Sequence, residues 1–413
     1  MPAKISAIKK IEIRQLKVGM YIHDLSCGWM SHPFIRNRFL ISSEAEIGKI
    51  IEAGFQEVYI DTGKGQDVTD APTQEEVRAV IEREMTAIVS HQPAKIARAT
   101  LAEELGRAKP VKEKARQLVG SLMQDVRLGK AIEIACVEPV VQNITDSIFR
   151  NSGALLGLLQ IRNRDDYTFL HSVSVCALLV AFCKASGVDS EISHQVGIGG
   201  LLHDIGKARV GDEILNKPGK LTDEEFDVMK KHPEDGYEIL SAIPGIGAIP
   251  LDIALHHHER FNGSGYPEKL PAEEISTFAQ MAAIVDVYDA ITADRSYHKG
   301  MPAAEALRRI HEWSKFHFNP QQVNAFMHCV GIYPVGTLVL LESGRLGVVI
   351  ENNEGNLLTP KINVFFSTKS STYIKPQEVD LSGPIGTRGI DRILSHENPA
   401  KWGVNPLRFS VLA

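Results

Sequence analysis

The spacing of apolar and polar residues predicts a small mixed domain at the start of the chain. Three short apolar runs predict β-strands, at Lys10–Leu16, Tyr21–Leu25 and Val58–Asp61. Ser42–Ala53 instead repeats its apolar residues with a helical period. We therefore assign residues 1–64 to an N-terminal α/β domain.

A long helical region follows. Polar residues lead into a pattern dense in Ala, Glu, Arg, Leu and Val, which predicts a linker and helical connector over residues 65–149. Apolar helical segments continue from Tyr167 to Val330. Within them, Thr222 and Glu225 form a capping box that predicts a helix running to about Leu240.

The pattern changes to short strands after Tyr333. The predicted strands are Thr337–Leu341, Gly347–Glu351, Lys361–Ser367 and Tyr373–Ile374. They indicate a small barrel or sheet in a β-rich extension over residues 333–413, with Trp402 anchoring the tail.

Composition narrows the class of protein. The 413 residues are 44% hydrophobic and 23% charged, with a net charge of −6, which is typical of a globular chain with more than one domain. An isoelectric point near 6.2 argues against a broad basic surface for DNA or RNA. The five cysteines form no CxxC pair, so neither a disulfide scaffold nor a thiolate zinc site is indicated. No apolar run reaches the ~18–20 residues that cross a bilayer, and Met1–Lys17 does not resemble a signal peptide, so we expect a cytoplasmic protein.

The chain contains 15 histidines, and several stand beside apolar helical segments together with aspartates. Imidazole and carboxylate groups suit Fe, Mn, Zn, Ni or Co. Asp286 lies between Val285 and Val287, and a buried carboxylate there needs a partner or a metal ion. An adjacent His-Asp pair can serve two ions through its carboxylate, and ions about 3.5–4 Å apart suit in-line displacement at phosphorus. The dipeptide alone is not specific, because His23-Asp24 repeats it in the first domain.

Three longer segments, at 201–240, 257–267 and 281–307, resemble the HD-GYP family within the HD superfamily of metal-dependent phosphohydrolases. The second segment reads HHERFNGSGYP and contains the tripeptide that names the family. The resemblance covers a catalytic domain at 150–332, and residues 15–65 are similar to an accessory domain often found before it. It implies a multi-domain, mainly α chain: an all-helical HD-type catalytic bundle with a small N-terminal α/β domain and a small C-terminal β-rich unit.

The resemblance also implies an activity and a set of functional residues. Members of the family are typically phosphodiesterases that hydrolyse cyclic di-GMP to linear pGpG or onward to GMP. Two divalent ions would share a bridging Asp204, with the remaining ligands supplied by His171, His203, His232, His257, His258 and Asp286. The catalytic residues would be His203, Asp204 and Lys207, and the substrate contacts Lys207, Arg295, Asp289, Gly265, Tyr266 and Pro267. His256 lies outside the motif register, and we interpret it as structural.

Some positions depart from the family pattern. A Glu four residues before the first histidine serves a third metal in some members, and Tyr167 stands at that position here, so we expect two ions. Asn262 and Ser296 replace a usual Asp and a usual Pro. We interpret the loop at 263–267 as a wall of the substrate pocket or as a docking surface for diguanylate cyclase domains. The N-terminal domain is interpreted as a sensor, as the dimerisation element of a homodimer, or as both.

Three alternatives remain open at this stage. The first is a non-catalytic module that senses cyclic di-GMP. The second is a phosphodiesterase for another cyclic dinucleotide, such as cyclic GMP-AMP. The third is a nucleic-acid-binding role for the C-terminal β unit, which the absence of a basic stripe with interleaved aromatic residues disfavours.

Overall fold

The computed structural model describes residues 8–25, 38–52, 55–77, 79–80, 83, 99–160, 167–217, 219–293, 300–353, 356–383 and 391–410. Helices account for most of the chain between residues 99 and 330, with one small sheet before them and another after them. The expected mainly α, multi-domain architecture with α/β and β-rich ends is therefore confirmed.

The N-terminal sheet has four antiparallel strands in the order β1-β4-β2-β3. Its strands are β1 Ile8–Glu12, β2 Tyr21–Asp24, β3 Phe39–Leu40 and β4 Glu57–Asp61, and helix α1 spans Glu44–Glu52. The predicted strand at Lys10–Leu16 is wrong in its second half, because Ile13–Gln15 turns into a 3-10 helix. One apolar core joins the sheet to α1 through residues such as Ile22 and Ile50.

Two long helices, α2 Leu101–Arg127 and α3 Ile134–Gln160, pack against each other and against the helices that follow. Helix α2 starts at a capping box in which Thr100 accepts from the backbone of Glu103 and Glu103 accepts from Thr100. The backbone of α3 leaves helical geometry at Asn151 (φ −159°, ψ 102°). The apolar faces of both helices belong to the same core as the helices after residue 167.

The remaining helices are α4 Tyr167–Ala185, α5 Ser190–Leu202, α6 Asp212–Leu215, α7 Asp223–Met229, α8 His232–Ser241, α9 Ala248–His256, α10 Thr277–Thr292, α11 Ala303–Trp313 and α12 Pro320–Val330. Helix α4 is apolar nearly all round and contributes to two separate hydrophobic clusters, so it forms the centre of the bundle. The Thr222–Glu225 capping box is confirmed at the start of α7. The predicted continuation to Leu240 is wrong, because helix α7 ends at Lys230–Lys231 and a new helix starts with Pro233 in its first turn.

The C-terminal unit is an antiparallel sheet of five described strands in the order β8-β7-β6-β5-β9. The strands are β5 Leu338–Leu341, β6 Arg345–Glu351, β7 Lys361–Ser367, β8 Thr372–Asp380 and β9 Ile393–His396, and a short helix α13 spans Pro399–Trp402. Strands β8 and β9 are both edge strands. Strand β8 is longer than predicted, because most of its residues are exposed and polar. Strand β9 was not predicted, because its four residues, Ile393–His396, show no alternation of apolar and polar residues. Trp402 donates from Nε1 to Glu397 at 2.8 Å and packs near Phe366, which confirms its anchoring role.

The N-terminal sheet is joined to helix α11 through a buried carboxylate. Glu312 accepts from the hydroxyl of Tyr59 at 2.7 Å and pairs with Lys10 Nζ at 2.7 Å. Arg309, one turn earlier on α11, pairs with Asp24 at 3.0 Å. Among the helices that the structure describes, none combines the length and the apolarity needed to cross a membrane.

Candidate metal centre

Seven buried side chains from five parts of the helical region converge at one place. The contributions come from α4, the end of α5, the start of α8, the end of α9, and α10, in the order His171, His203, Asp204, His232, His257, His258 and Asp286. These are the seven residues predicted from sequence as metal ligands, and the structure brings all of them together.

Helix ends explain how two adjacent pairs reach the same site. Neighbouring residues in a continuous helix diverge by about 100° around its axis, so they do not face one point. His203 is the C-cap of α5, and the chain turns after it into a 3-10 helix at Ile205–Arg209. His257 is likewise the C-cap of α9. The turn in each place lets the next residue, Asp204 or His258, point to the same side as its neighbour.

The ligand atoms form two groups with one carboxylate between them. His171, His203 and Asp286 make one group, and His232, His257 and His258 make the other, each with its atoms within 4.8 Å of one another.

Asp204 lies between the two groups and presents one oxygen to each. Its Oδ2 is 3.6 Å from His171 Nε2 and 3.3 Å from His203 Nε2. Its Oδ1 is 3.4 Å from His232 Nε2 and 3.9 Å from His257 Nε2. A carboxylate in this position is able to bridge two cations.

Hydrogen bonds on Nδ1 fix the tautomer of four of the imidazoles. A backbone carbonyl accepts from the Nδ1–H of His203, His232 and His257, and the carboxylate of Asp289 pairs with Nδ1 of His171 at 2.8 Å. With the proton on Nδ1, the rings of His203, His232 and His257 present the lone pair of Nε2 to the centre, which is the form that binds a metal. Asp289, which the resemblance gives as a substrate contact, therefore orients the ring of His171 in this structure.

The residues present fit a metal centre, because several of their buried polar atoms lack a favourable partner when no cation is bound. The Nε2 atom of His203 and the Oδ1 atom of Asp204 are buried, and the described part of the chain offers neither of them a hydrogen-bond partner. The Nε2 atoms of His232 and His257 face each other at 3.3 Å. Two such lone pairs repel unless a proton or a cation lies between them, so a bound cation satisfies both groups.

The charge states also suit metal ligation. Burial, with the charge of Lys207, lowers the pKa of His232 to about 4, and burial holds the pKa of His257 and His258 well below the usual histidine value. Burial would raise the pKa of Asp204, but the charges of His203 and Lys207 outweigh it and lower the pKa. Neutral imidazoles and ionised carboxylates are the forms that coordinate metals.

His171 differs from the other histidines in its charge. Burial lowers its pKa, but hydrogen bonds to Asp286 and Asp289 outweigh burial and raise the pKa to about 9. Burial would raise the pKa of Asp286, but its hydrogen bond with His171 outweighs burial and holds the pKa well below its usual range. A cation that takes Nε2 of His171 must therefore displace a proton.

Lys207 lies at the border between the centre and solvent. Its ammonium group is 2.6 Å from Asp204 Oδ2, and its side chain is 16% exposed. A cation there can contact an oxyanion that approaches the centre from outside. Arg295, the other predicted cationic contact, lies outside the described residues.

The GYP tripeptide lines one wall of the centre. Gly265 is buried against the backbone of Glu259 and Arg260, which leaves no room for a Cβ atom. The ring of Tyr266 stacks on His258, with centroids 4.7 Å apart and an angle of 26° between planes. Pro267 follows through a cis peptide bond and is half-buried.

Sequence reasoning missed two residues at this site. The carboxylate of Glu259 is buried and accepts hydrogen bonds from three backbone N–H groups of the loop that carries the tripeptide. Gly206 lies in backbone contact with His232. Two signals in the sequence could have found them: Glu259 is a charged residue directly after His257-His258, and Gly206 is a glycine two residues after Asp204. His256 pairs with Asp252 at 2.7 Å and lies outside the ligand cluster.

Comparison with known proteins finds two family matches and a relative that matches nearly the whole chain. Residues 8–137 match a domain of unknown function (DUF3391), and residues 152–321 match the HD domain. The chain is 44% identical over 401 residues to the cyclic di-GMP phosphodiesterase PA4108 of Pseudomonas aeruginosa, covering 97% of this chain and 94% of that protein. The chain belongs to the HD-GYP family.

Other relatives match over a shorter part of this chain. The cyclic di-GMP phosphodiesterase response regulator RpfG of Xanthomonas campestris is 38% identical over 41% of this chain and 44% of its own length. The 3'3'-cGAMP-specific phosphodiesterase 1 of Vibrio cholerae is 35% identical over 35% of this chain and 33% of its own length.

Proposed function

We propose that the protein is a metal-dependent phosphodiesterase that hydrolyses cyclic di-GMP to linear pGpG or onward to GMP. The observation that carries this proposal is the position of Asp204, whose two oxygens face two separate histidine groups. The relative that matches nearly the full length is named a cyclic di-GMP phosphodiesterase, which supports the choice of substrate.

Each ion has its own ligands in this proposal. His171, His203 and Asp286 hold one, while His232, His257 and His258 hold the other, and Asp204 bridges them. A donor set of imidazole and carboxylate suits Fe, Mn, Ni, Co or Zn. With Tyr167 in place of a glutamate ligand, we propose two ions and not three.

The chain's own residues supply position and charge for the reaction. A bound ion pair would supply an activated water at neutral pH and polarise the phosphoryl oxygens. Lys207 contacts a non-bridging oxygen of the scissile phosphate and stabilises the charge that develops there. Asp289 keeps the proton of His171 on Nδ1, and Tyr266 shapes the wall beside His258. We retain Arg295 as a second contact with the substrate.

The broader organisation is also proposed here. We assign residues 1–64 to an accessory domain, 65–149 to a connector, 150–332 to catalysis and 333–413 to a β-rich extension. Diguanylate cyclase domains are proposed partners of the GYP loop, and the accessory domain is a proposed site of homodimer formation.

The test combines metal analysis with chromatography of cyclic di-GMP reactions. Protein purified with and without air is analysed as wild type and as Asp204→Asn, with Asp227→Asn on the exposed face of α7 as a control of matched chemistry. We expect two ions and hydrolysis in the wild type and the control, and loss of metal and of activity in Asp204→Asn. A wild type that holds its ions, binds cyclic di-GMP and leaves it intact would show a sensor and refute the enzyme.

A second substrate is favoured by the relative from Vibrio cholerae whose name specifies 3'3'-cGAMP. The same preparation should therefore be assayed with both cyclic dinucleotides. A higher kcat/KM for cyclic di-GMP supports the main proposal. A higher value for 3'3'-cGAMP replaces it with the second candidate.

A further inference from the structure

A buried carboxylate outside the ligand set holds the loop beside the metal centre. Glu259 is 2% exposed. Its Oε1 accepts from the backbone N–H groups of Glu268 at 2.8 Å and Lys269 at 3.0 Å, and its Oε2 accepts from Leu270 at 3.1 Å. Successive N–H groups that converge in this way form a nest for an anion. Lys269 adopts a left-handed backbone (φ 56°) inside this nest, a conformation that a side chain resists unless its surroundings impose it.

The nest presses the loop onto the ligand pair. A Cβ atom on Gly265 would lie 2.4 Å from both the Cα of Glu259 and the N of Arg260, so only glycine permits this approach. The next residue, Tyr266, donates its backbone N–H to the carbonyl of His258 at 3.3 Å. Its ring then stacks on the imidazole of His258 at 4.7 Å.

His258 is the ligand for which this support has most consequence. The other four imidazoles are each oriented by a hydrogen bond on Nδ1. In the described part of the chain, no carbonyl or carboxylate makes a comparable hydrogen bond with the ring of His258. Its ring is bounded by Tyr266 and by the imidazoles of His257 at 4.2 Å and His232 at 5.0 Å. The tyrosine is therefore the one contact in this set that is not itself in the ligand cluster.

We propose that Glu259 is a positioning residue for the metal ion of the His232, His257 and His258 group. It holds the GYP loop in place, and the loop holds the ring of His258 through Tyr266. This inference rests on the proposed function only in that His258 ligates a metal ion. It also gives the tripeptide an internal role, since Gly265 is buried and Tyr266 faces the site.

The first test is equilibrium dialysis of the metal-free full-length protein against Mn²⁺, followed by metal analysis. Glu259→Gln keeps the size of the side chain but places an amide NH₂ against N–H donors. We expect one of the two ions to bind about 10–100-fold more weakly, which is the usual effect of losing outer-shell support, while the other binds as in the wild type. Glu274→Gln makes the same change on an exposed residue of the same connection and should retain both affinities.

A second pair of variants separates positioning from folding. Tyr266→Phe keeps the ring that stacks on His258, and Tyr266→Ala removes it. We expect wild-type Mn²⁺ affinity in the phenylalanine variant and the selective weakening of one ion in the alanine variant. Thermal unfolding of the metal-free proteins monitors the fold in each case.

The outcomes separate this inference from the proposed function. Wild-type affinity for both ions in Glu259→Gln and in Tyr266→Ala would overturn the positioning role, whatever the activity. Equal weakening of both ions would also overturn it, because the support would then not be specific to one group. A wild type that binds Mn²⁺ and hydrolyses no cyclic dinucleotide would overturn the proposed function and leave the positioning result intact.

Discussion

Replacing Gly206 by alanine should separate the two halves of the metal centre. Gly206 is the second residue of the 3-10 turn that follows His203-Asp204, and its backbone lies against the first turn of α8. A Cβ atom built there would lie 2.0 Å from the carbonyl oxygen of His232 and 2.5 Å from the backbone N of Gly236. Both neighbours are backbone atoms, so no side-chain rotation relieves the overlap.

The expected magnitude follows from the distances. Real Cβ atoms essentially never approach a heavy atom closer than 3.0 Å, so the turn and α8 must move apart by about 1 Å. Metal–ligand distances are defined to about 0.2 Å, and a displacement of about 1 Å at a catalytic centre can cost about 10²-fold in rate. We expect about 1–3 kcal/mol less free energy of unfolding, typical of overpacking, and loss of the ion shared with His232.

The assay measures metal content, urea unfolding and cyclic dinucleotide hydrolysis in parallel. Gly236→Ala is the matched control from the other side of the same contact. Its Cβ atom would have Gly206 N as its nearest neighbour at 3.5 Å, an ordinary contact. Because a helical Gly to Ala change is favourable by about 0.5–1 kcal/mol, that variant should be at least as stable as the wild type and keep its metal. A Gly206→Ala protein with two ions and wild-type stability would refute the reasoning.

Three further predictions concern charged side chains. Lys207→Met should retain its metal but lose about 10²–10³-fold in kcat, as expected for a lost oxyanion contact. The control Arg209→Met, on the exposed end of the turn, should keep the wild-type kcat. Loss of metal in the Lys207 variant would contradict a substrate role. Asp289→Asn should weaken Mn²⁺ binding about 10–100-fold in dialysis, since the carboxylate orients a ligand histidine, and unchanged affinity would count against that role. Glu104→Gln should cost about 1–3 kcal/mol in urea unfolding at pH 7, because the fully buried carboxylate accepts two bonds from Arg150. Burial raises the pKa of Glu104 but these bonds outweigh it and lower the pKa below 4.5, so the wild type's advantage is present above pH 4.5 and is lost as pH falls through the folded-state pKa. A difference between the two proteins that does not change with acidification would contradict this assignment.

Local sequence indicated metal chemistry, and the resemblance to the family supplied the set of seven candidate ligands. A burial-prone carboxylate such as Asp286, which lies between Val285 and Val287, needs a partner or a metal ion. The motifs around His203-Asp204 and His257-His258 also carried the resemblance to the family. Helix and strand types were predicted well wherever the apolar period was strong, as in α1 and β7.

Local patterns failed where the outcome depended on distant contacts. The edge strand β9 has no apolar alternation of its own and exists because it pairs with β5. The break before His232 turns a predicted continuous helix into two, and it brings that ring to the centre at the start of α8. Periodicity within one segment carries no information on either event.

Tertiary structure alone decided how the site is assembled. The sequence determined which groups could bind a metal and that their helices would be buried, because these properties depend on residue type and spacing. It did not determine that Gly206 would touch the backbone of His232 or that Glu259 would be buried under a loop. In isolation Glu259 is indistinguishable from a solvated surface charge. Its role arises because three N–H groups, 9 to 11 residues away, converge on it only after the loop has packed.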